Sequence, residues 1–274
     1  MNPDARELAR FIARAGRVAV VTGAGVSTAS GIPDYRDRNG EWKHARPVQY
    51  ADFAAKPEVR QRYWARSFSG WQRIVDAQPN RAHTALAALE SAGTVDTVIT
   101  QNVDGLHHRA GSRRVIDLHG HLQSVRCMSC GRITGRDEWQ AGLAAANPRW
   151  QPETDYFAPD GDAKLRDEDV SRFVTPGCAA CGGFVKPDVV FFGESVPKER
   201  VESAFAALDR AEALLVIGSS LMVFSGYRFA RRAAETGKPI AIVNRGRTRA
   251  DDLAALRIDA DCGDVLDHVS KNGG

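Results

Sequence analysis

Four of the five cysteines in this chain stand as two C-x-x-C pairs, Cys127/Cys130 and Cys178/Cys181. Each pair offers two thiolates from one tight turn, and two such pairs make the tetrahedral donor set of a single zinc ion. Gly131 and Gly182 follow the pairs, where a metal knuckle needs a residue free of Cβ limits. The odd cysteine total, and an N-terminus (MNPDARELARFIARAG) without an apolar signal core, argue against a disulfide framework. Redox dithiols are the competing reading. With four cysteine ligands the ion keeps no open position, so its expected role is structural.

The other candidates for chemistry sit at the ends of apolar runs. RVAVVT (Arg17–Thr22) leads into Gly23-Ala24-Gly25-Val26-Ser27, a strand, glycine turn and small residues that open a nucleotide-binding unit. Position 28 is Thr, so the G-x-G-x-x-G of a hydride-transferring dehydrogenase is incomplete. Gly31-Ile32-Pro33-Asp34-Tyr35-Arg36 is a loop by composition, expected to cover the nucleotide with Arg36 able to meet a phosphate. Gln101, Asn102 and Asp104 follow a second apolar run, where amides and a carboxylate could hold a carboxamide, a ribose or a water. His119 ends the run Val115–Leu118, and a histidine with a pKa of about 6.5 can take a proton at neutral pH. His107, His108 and His121 are its rivals.

These residues need a scaffold. The apolar runs Arg17–Thr22, Thr94–Thr100, Asp188–Phe192, Ala213–Ile217 and Pro239–Val243 alternate with helical stretches such as Lys198–Ala211 and Gly226–Thr236. That rhythm predicts a Rossmann-like parallel sheet covered on both faces, with its ligand beyond the carboxyl ends of the strands. The expected large domain comprises residues 1–37, 94–121 and 187–274. Residues 38–93 read as a helical insertion and 122–186 as a zinc-ribbon module, which together form a smaller domain. The 274 residues are 43% hydrophobic and 26% charged, which excludes disordered and collagen-like chains. A net charge of +3 is too mild for a nucleic-acid binder. With no apolar run long enough for a membrane span, a soluble cytoplasmic protein is expected.

Together the motifs resemble the sirtuins, the NAD-dependent protein deacylases. GAGVSTASGIPDYR, TQNVDGLH, the isolated HG, the cysteine pairs, KPDVVFFGE, GSSLMV and a late VN occur in that family's order, from Gly23 to Cys262. RQRYWARSFSGW, APDGD and GSSLMVFSGYRF are similar to the class II branch, which includes a mitochondrial member. The resemblance implies roles. Gly23, Ala24, Gly25 and Ser27 would meet the NAD phosphates and ribose, with Asp34, Tyr35 and Arg36 in the cofactor loop. Gln101, Asn102 and Asp104 would bind the nicotinamide end, with Asn102 and Asp104 also catalytic beside the general base His119. Gly218, Ser219, Ser220, Asn244, Arg245, Gly246 and Cys262 would surround the adenosine half. An acylated-lysine peptide would add a strand between Val190–Glu194, with Phe192 and Gly193, and Leu221–Ser225, with Val223.

Tyr63 and Arg66 are similar to the Y-x-x-R pair with which the desuccinylating branch meets acidic acyl groups, suggesting an acyl preference beyond acetyl; an exposed helix face is the plain alternative. In the implied reaction the acyl oxygen attacks ribose C1′ as nicotinamide leaves. His119 then deprotonates a ribose hydroxyl, and water releases lysine and O-acyl-ADP-ribose. The implied protein is a monomer that consumes NAD, carries one structural zinc, and uses neither nucleic acid nor membrane. Two alternatives remain: an NAD-dependent protein ADP-ribosyltransferase, and a zinc-ribbon adaptor working through residues 122–186. The acids Asp155, Asp160, Asp162, Asp167, Glu168 and Asp169 oppose nucleic-acid binding by that adaptor.

Overall fold

In the computed structural model, residues 2–43, 47–151, 163, 165 and 170–272 are described. The acid-rich run within 152–169 and APDGD lie outside them. The main sheet has the strands β1 (Val18–Thr22), β2 (Val95–Thr100), β3 (Val115–Asp117), β7 (Ala213–Ile217), β8 (Ile240–Val243) and β9 (Leu256–Ile258). Every pairing is parallel, in the order β3-β2-β1-β7-β8-β9. Alternate side chains of a strand face opposite layers. Val18 and Val20 therefore join α1 (Pro3–Ala15), α4 (Arg81–Ser91) and α9 (Cys262–Asn272) in one core, through Leu8, Leu86 and Leu266. Ala19 and Val21 join α7 (Lys198–Arg210) and α8 (Phe224–Glu235) in the other, through Leu208 and Phe229.

The strand order reverses at β1. The chain builds outward through β2 and β3, then returns to lay β7 on the other side of β1. A crevice forms beyond the carboxyl ends of two strands whose connections diverge in this way. Thr22 is level with both Thr100 and Ile217, so Gly23, Gln101 and Gly218 leave the sheet side by side.

A second, antiparallel sheet of order β5-β4-β6 comprises β4 (Gly120–Cys127), β5 (Ile133–Gly135) and β6 (Val185–Val189). With α2 (Tyr50–Ala55), α3 (Pro57–Asp76) and α6 (Arg136–Ala146) it encloses a separate core rich in aromatics, including Phe53, Trp64, Trp139 and Phe191. A fully buried arginine, Arg136, stacks 4.5 Å over Trp71 and donates to the Ser67 carbonyl at 3.2 Å. A four-residue helix, α5 (Leu106–Arg109), leads from the first polar loop toward β3.

Two expectations change. The run Asp188–Phe192 is not a strand of the parallel sheet; the strand there starts at Val185 and pairs antiparallel with β4. Its apolarity reflects burial in the second core, and apolarity does not encode which neighbour a strand takes. The helical insertion 38–93 also divides. Its α2 and α3 serve the small core, whereas α4, capped by Asn80 in a capping box, packs on the main sheet. β4, β9 and the C-terminal helix had no counterpart in the sequence reading.

Candidate active site and zinc centre

The ends of β1 and β7 are interleaved. Gly25 N–H donates to the Gly218 carbonyl at 2.9 Å, and a Cβ on Gly25 would lie 2.8 Å from that oxygen. Gly218 itself has φ of 58°, and a Cβ there would meet Val26 N at 2.4 Å. The glycines are thus required by two turns in backbone contact. Leu221 pays for the same turn with φ of 53°, a left-handed conformation unusual for a branched residue, held by burial of its side chain.

Around these ends lies a cleft with room for about 160 Å³ of solvent. Of the residues assigned to NAD or chemistry, it collects Gly23, Ala24, Gly25, Ser27, Asp34, Tyr35, Arg36, Gln101, Asn102, Asp104, His119, Gly218, Ser219, Ser220, Asn244 and Arg245. From the peptide assignments Val190, Phe192, Leu221 and Val223 join them. Gly246 and Cys262 stand just behind. Gly246 closes the Asn244 loop, whose amide donates to its carbonyl at 3.2 Å. Cys262 Sγ lies 3.8 Å from the Gly25 carbonyl, and burial pushes the thiol up to about 12, so it stays protonated. Trp42 is a lining residue absent from the sequence reading. It stacks under the Arg36 guanidinium at 4.0 Å and edge-on to Phe192 and Tyr35, bracing the loop over the cleft.

Behind the floor runs a buried polar chain. Ser27 Oγ donates to Asp104 at 2.7 Å and accepts from the Asn102 amide at 3.0 Å. Asp104 also accepts Leu106 N–H at 2.9 Å, yet burial holds its carboxyl above the ordinary range. His83 Nδ1 accepts from Asn80 N–H at 3.3 Å, so in the neutral ring Nε2 carries the proton and faces Ser27 Oγ at 3.5 Å. Sequence reasoning missed His83, which lies in a helix whose register alone reveals nothing about the strand end it touches.

Only one histidine reaches the cleft among the described residues. His119 Nδ1 lies 2.9 Å from the Gln101 carbonyl, and a carbonyl can only accept, so Nδ1 bears the proton. Nε2 then presents its lone pair, accepting from the Ser225 hydroxyl at 2.8 Å. Burial, with Arg200 and Arg228 nearby, lowers the pKa of His119 to about 4, so the ring is neutral at pH 7. Of its rivals, His107 is 1% exposed and bound to Thr22 Oγ1 at 3.0 Å, and His108 pairs with Asp117 at 2.9 Å. His121 lines neither His119 cleft.

A second cleft, with room for about 530 Å³ of solvent, meets the first at His119, Val190, Phe192 and Val223, and holds Gly193 and Glu194. The K-P-D-V-V-F-F-G-E run forms its wall because its ends clasp. Lys186, 5% exposed, binds Glu194 at 2.9 Å and the Val189 carbonyl at 2.5 Å. Glu194 also accepts Phe191 N–H at 2.9 Å. Tyr63 and Arg66 line neither cleft. Tyr63 is buried edge-on to Phe53 and Trp64, and Arg66 Nε donates to the Ala163 carbonyl at 2.9 Å.

The four paired cysteines converge at the end of the small sheet, their sulfurs all within 4.8 Å of one another. Cys127–Cys181 and Cys130–Cys178 are 3.5 and 3.9 Å apart. A tetrahedron with Zn–S bonds of about 2.3 Å has edges of about 3.8 Å, so the donor set fits zinc. Gly131 and Gly182, with φ of 73° and 72°, return N–H groups to the Cys127 and Cys178 carbonyls at 3.0 and 2.8 Å. These are two matching knuckles, and none of their cysteines lines either cleft that holds His119.

The Sir2 family model matches residues 23–225. A Bordetella bronchiseptica protein named NAD-dependent protein deacetylase is 54% identical over 266 residues, 97% of each chain. The Bos taurus NAD-dependent protein lipoamidase sirtuin-4, mitochondrial, is 48% identical over 97% of this chain and 86% of its own. A solved structure titled Sir2-p53 peptide-NAD+ superposes with a TM-score of 0.79 at 31% identity, covering 98% of both chains. With the crevice at the β1/β7 reversal, the neutral histidine and the thiolate cluster already in place, these likenesses show that the chain belongs to the Sir2 family, the sirtuins.

Proposed function

We propose that this chain removes acyl groups from protein lysines in a reaction that consumes NAD, with His119 as its general base. NAD supplies a ribose carbon activated by nicotinamide as leaving group. The observation that carries the reading is the His119 arrangement. The Gln101 carbonyl fixes the tautomer, and the Nε2 lone pair stands where the nucleotide cleft meets the second, peptide-sized cleft. His119 would take a proton from a ribose hydroxyl at Nε2, displacing the Ser225 hydroxyl. Asn102 and Asp104, tied through Ser27, would hold the nicotinamide end and a water. Ala24, Gly25 and Arg36 would meet phosphates, and Ser219, Ser220, Asn244 and Arg245 the adenosine half. The zinc ion would staple β4 to β6 and take no part in the chemistry.

The finer assignments belong to the same reading. Residues 1–37, 94–121 and 187–274 carry NAD, backed by α4, while the rest of 38–93 and 122–186 shape the approach of the acylated-lysine protein. The protein acts in the cytoplasm as a monomer, without nucleic acid or membrane. No described helix is long and apolar enough to cross a membrane. We place it in the class II branch, supported by its likeness to the bovine lipoamidase, and infer that acyl chains other than acetyl are substrates, in a pocket that Tyr63 and Arg66 do not line. Comparable turnover of succinyl-lysine peptide by wild type and Arg66→Ala is the expected result, because the Arg66 guanidinium is engaged by the Ala163 carbonyl.

The deciding experiment measures nicotinamide release with a panel of acyl-lysine peptides, the products weighed by mass spectrometry. Loss of one acyl mass per nicotinamide is the expected result, with His119→Ala slowed by roughly 10²–10⁴-fold. Added ADP-ribose mass on protein would replace the reading with ADP-ribosyl transfer.

A further inference from the structure

The second cleft carries a one-sided charge. Arg228 lines it one helical turn beyond Ser225, the residue that touches His119. Its Nε is shielded from solvent and has no hydrogen-bond partner. The nearest assigned contact is the Phe224 ring, 5.3 Å from the guanidinium carbon. The carboxylate that lines the same cleft does not answer it, because Glu194 is held by Lys186 and by Phe191 N–H, each at 2.9 Å. Lys198, in the same cleft, is paired with Glu202 across an exposed helical turn at 3.4 Å. Arg231 and Arg249 also approach Phe224, at 5.7 and 6.0 Å, but Arg231 is paired with Glu235 at 3.1 Å and Arg249 stacks on Tyr227 at 4.3 Å, which leaves Arg228 as the cation to be answered. A desolvated guanidinium nitrogen without an acceptor is costly, so this wall is incomplete until an acceptor arrives. The planar fork of arginine suits a carboxylate in bidentate fashion.

We propose that Arg228 reads an aspartate or glutamate of the substrate protein flanking the acyl-lysine, so that acyl-lysines in acidic segments are the preferred substrates. This rests on the deacylase reading above. The separation of Ser225 and Arg228, about 4.5 Å along the helix, lies between one and two residues of an extended peptide at about 3.3 Å each. The selected acid therefore lies next to the acyl-lysine or next but one.

The test compares acetyl-lysine peptides that differ only in Glu, Gln or Lys at those two positions, with wild type, Arg228→Gln and Arg228→Lys. The wild-type ratio of kcat/KM for Glu over Gln peptides is expected to be about tenfold, the size of one charge-assisted hydrogen bond, and to reside in KM. It should fall to about one in Arg228→Gln and recover in part in Arg228→Lys, which keeps the charge without the fork. Each ratio is taken within one preparation, so partial misfolding cancels. A wild-type ratio near one, or a preference that survives Arg228→Gln, overturns the proposal. So does a selective loss of succinyl-lysine turnover with the Glu/Gln ratio intact, which would assign Arg228 to a carboxylate on the acyl group. Release of no nicotinamide by wild type with any peptide would overturn the deacylase reading, and this proposal with it.

Discussion

His119 is a base whose protonation is decided by its surroundings. Its pKa of about 4 means that the free enzyme holds the neutral ring throughout the physiological range. The acid limb of kcat/KM is therefore expected near pH 4, and a limb near 6.5 would show that the histidine is solvated before substrate binds. Ser27 is the other residue on which the site turns. Its hydroxyl donates to Asp104 and accepts from Asn102. Ser27→Ala leaves a buried carboxylate and a buried amide short of a partner, which costs roughly 1–3 kcal/mol for each such group. Urea unfolding should register that loss, and NAD titration a weakened KM. Unchanged values in both would mean that water replaces the hydroxyl.

At the scale of elements, the nucleotide cleft exists because the turns after β1 and β7 touch backbone to backbone. Gly218→Ala would put a methyl 2.4 Å from Val26 N at a left-handed φ, so the two strand ends must part. The expected loss is at least about 2 kcal/mol, with loss of NAD binding. Gly142→Ala is the control. Its Cβ would meet nothing within 4 Å in α6, and the change should stabilise by up to about 1 kcal/mol. The cysteine knuckles are elements of the same kind. Cys127 and Cys178 belong to the aromatic core that also buries Trp64 and Phe173, so the ion and that core hold together. Chelation or Cys127→Ala is expected to expose the small domain to proteolysis and abolish turnover, because metal binding there is folding free energy. Full activity in zinc-free protein would contradict this.

Across the whole molecule, three histidines are kept neutral by the packing of one layer on another. Burial lowers His83 and His119 to about 4 and holds His107 well below its ordinary value. In the unfolded chain each takes a proton near pH 6.5, while in the folded protein His83 and His119 resist until about 4 and burial likewise keeps His107 neutral well below its ordinary value. Stability is therefore intact above about 6.5 and lost as pH falls through that window, by up to about 1.4 kcal/mol per pH unit for each fully buried ring. The urea midpoint should drop between pH 7 and 5, and drop less steeply in His83→Gln. Equal slopes would place the proton uptake elsewhere.

Much of this site was legible before any fold was known, where the information is local. Cysteine spacing names a knuckle because two thiolates from one turn need only that turn. Glycines, amides and a histidine at the ends of apolar runs name a crevice because parallel sheets bind ligands at those ends. The motif order carried the family. What tertiary structure decided is long-range. It sent β6 to the antiparallel sheet and α4 back to the main one, since an apolar run does not encode its pairing partner. It buried His107 and left His119 in the cleft, placed His83 behind Ser27 from 56 residues away, and clasped Lys186 to Glu194. It also set Tyr63 in an aromatic core and left Arg228 without an acceptor beside the base. Those outcomes depend on which surfaces are pressed together and emptied of water, a property of the packed molecule rather than of any window of its sequence.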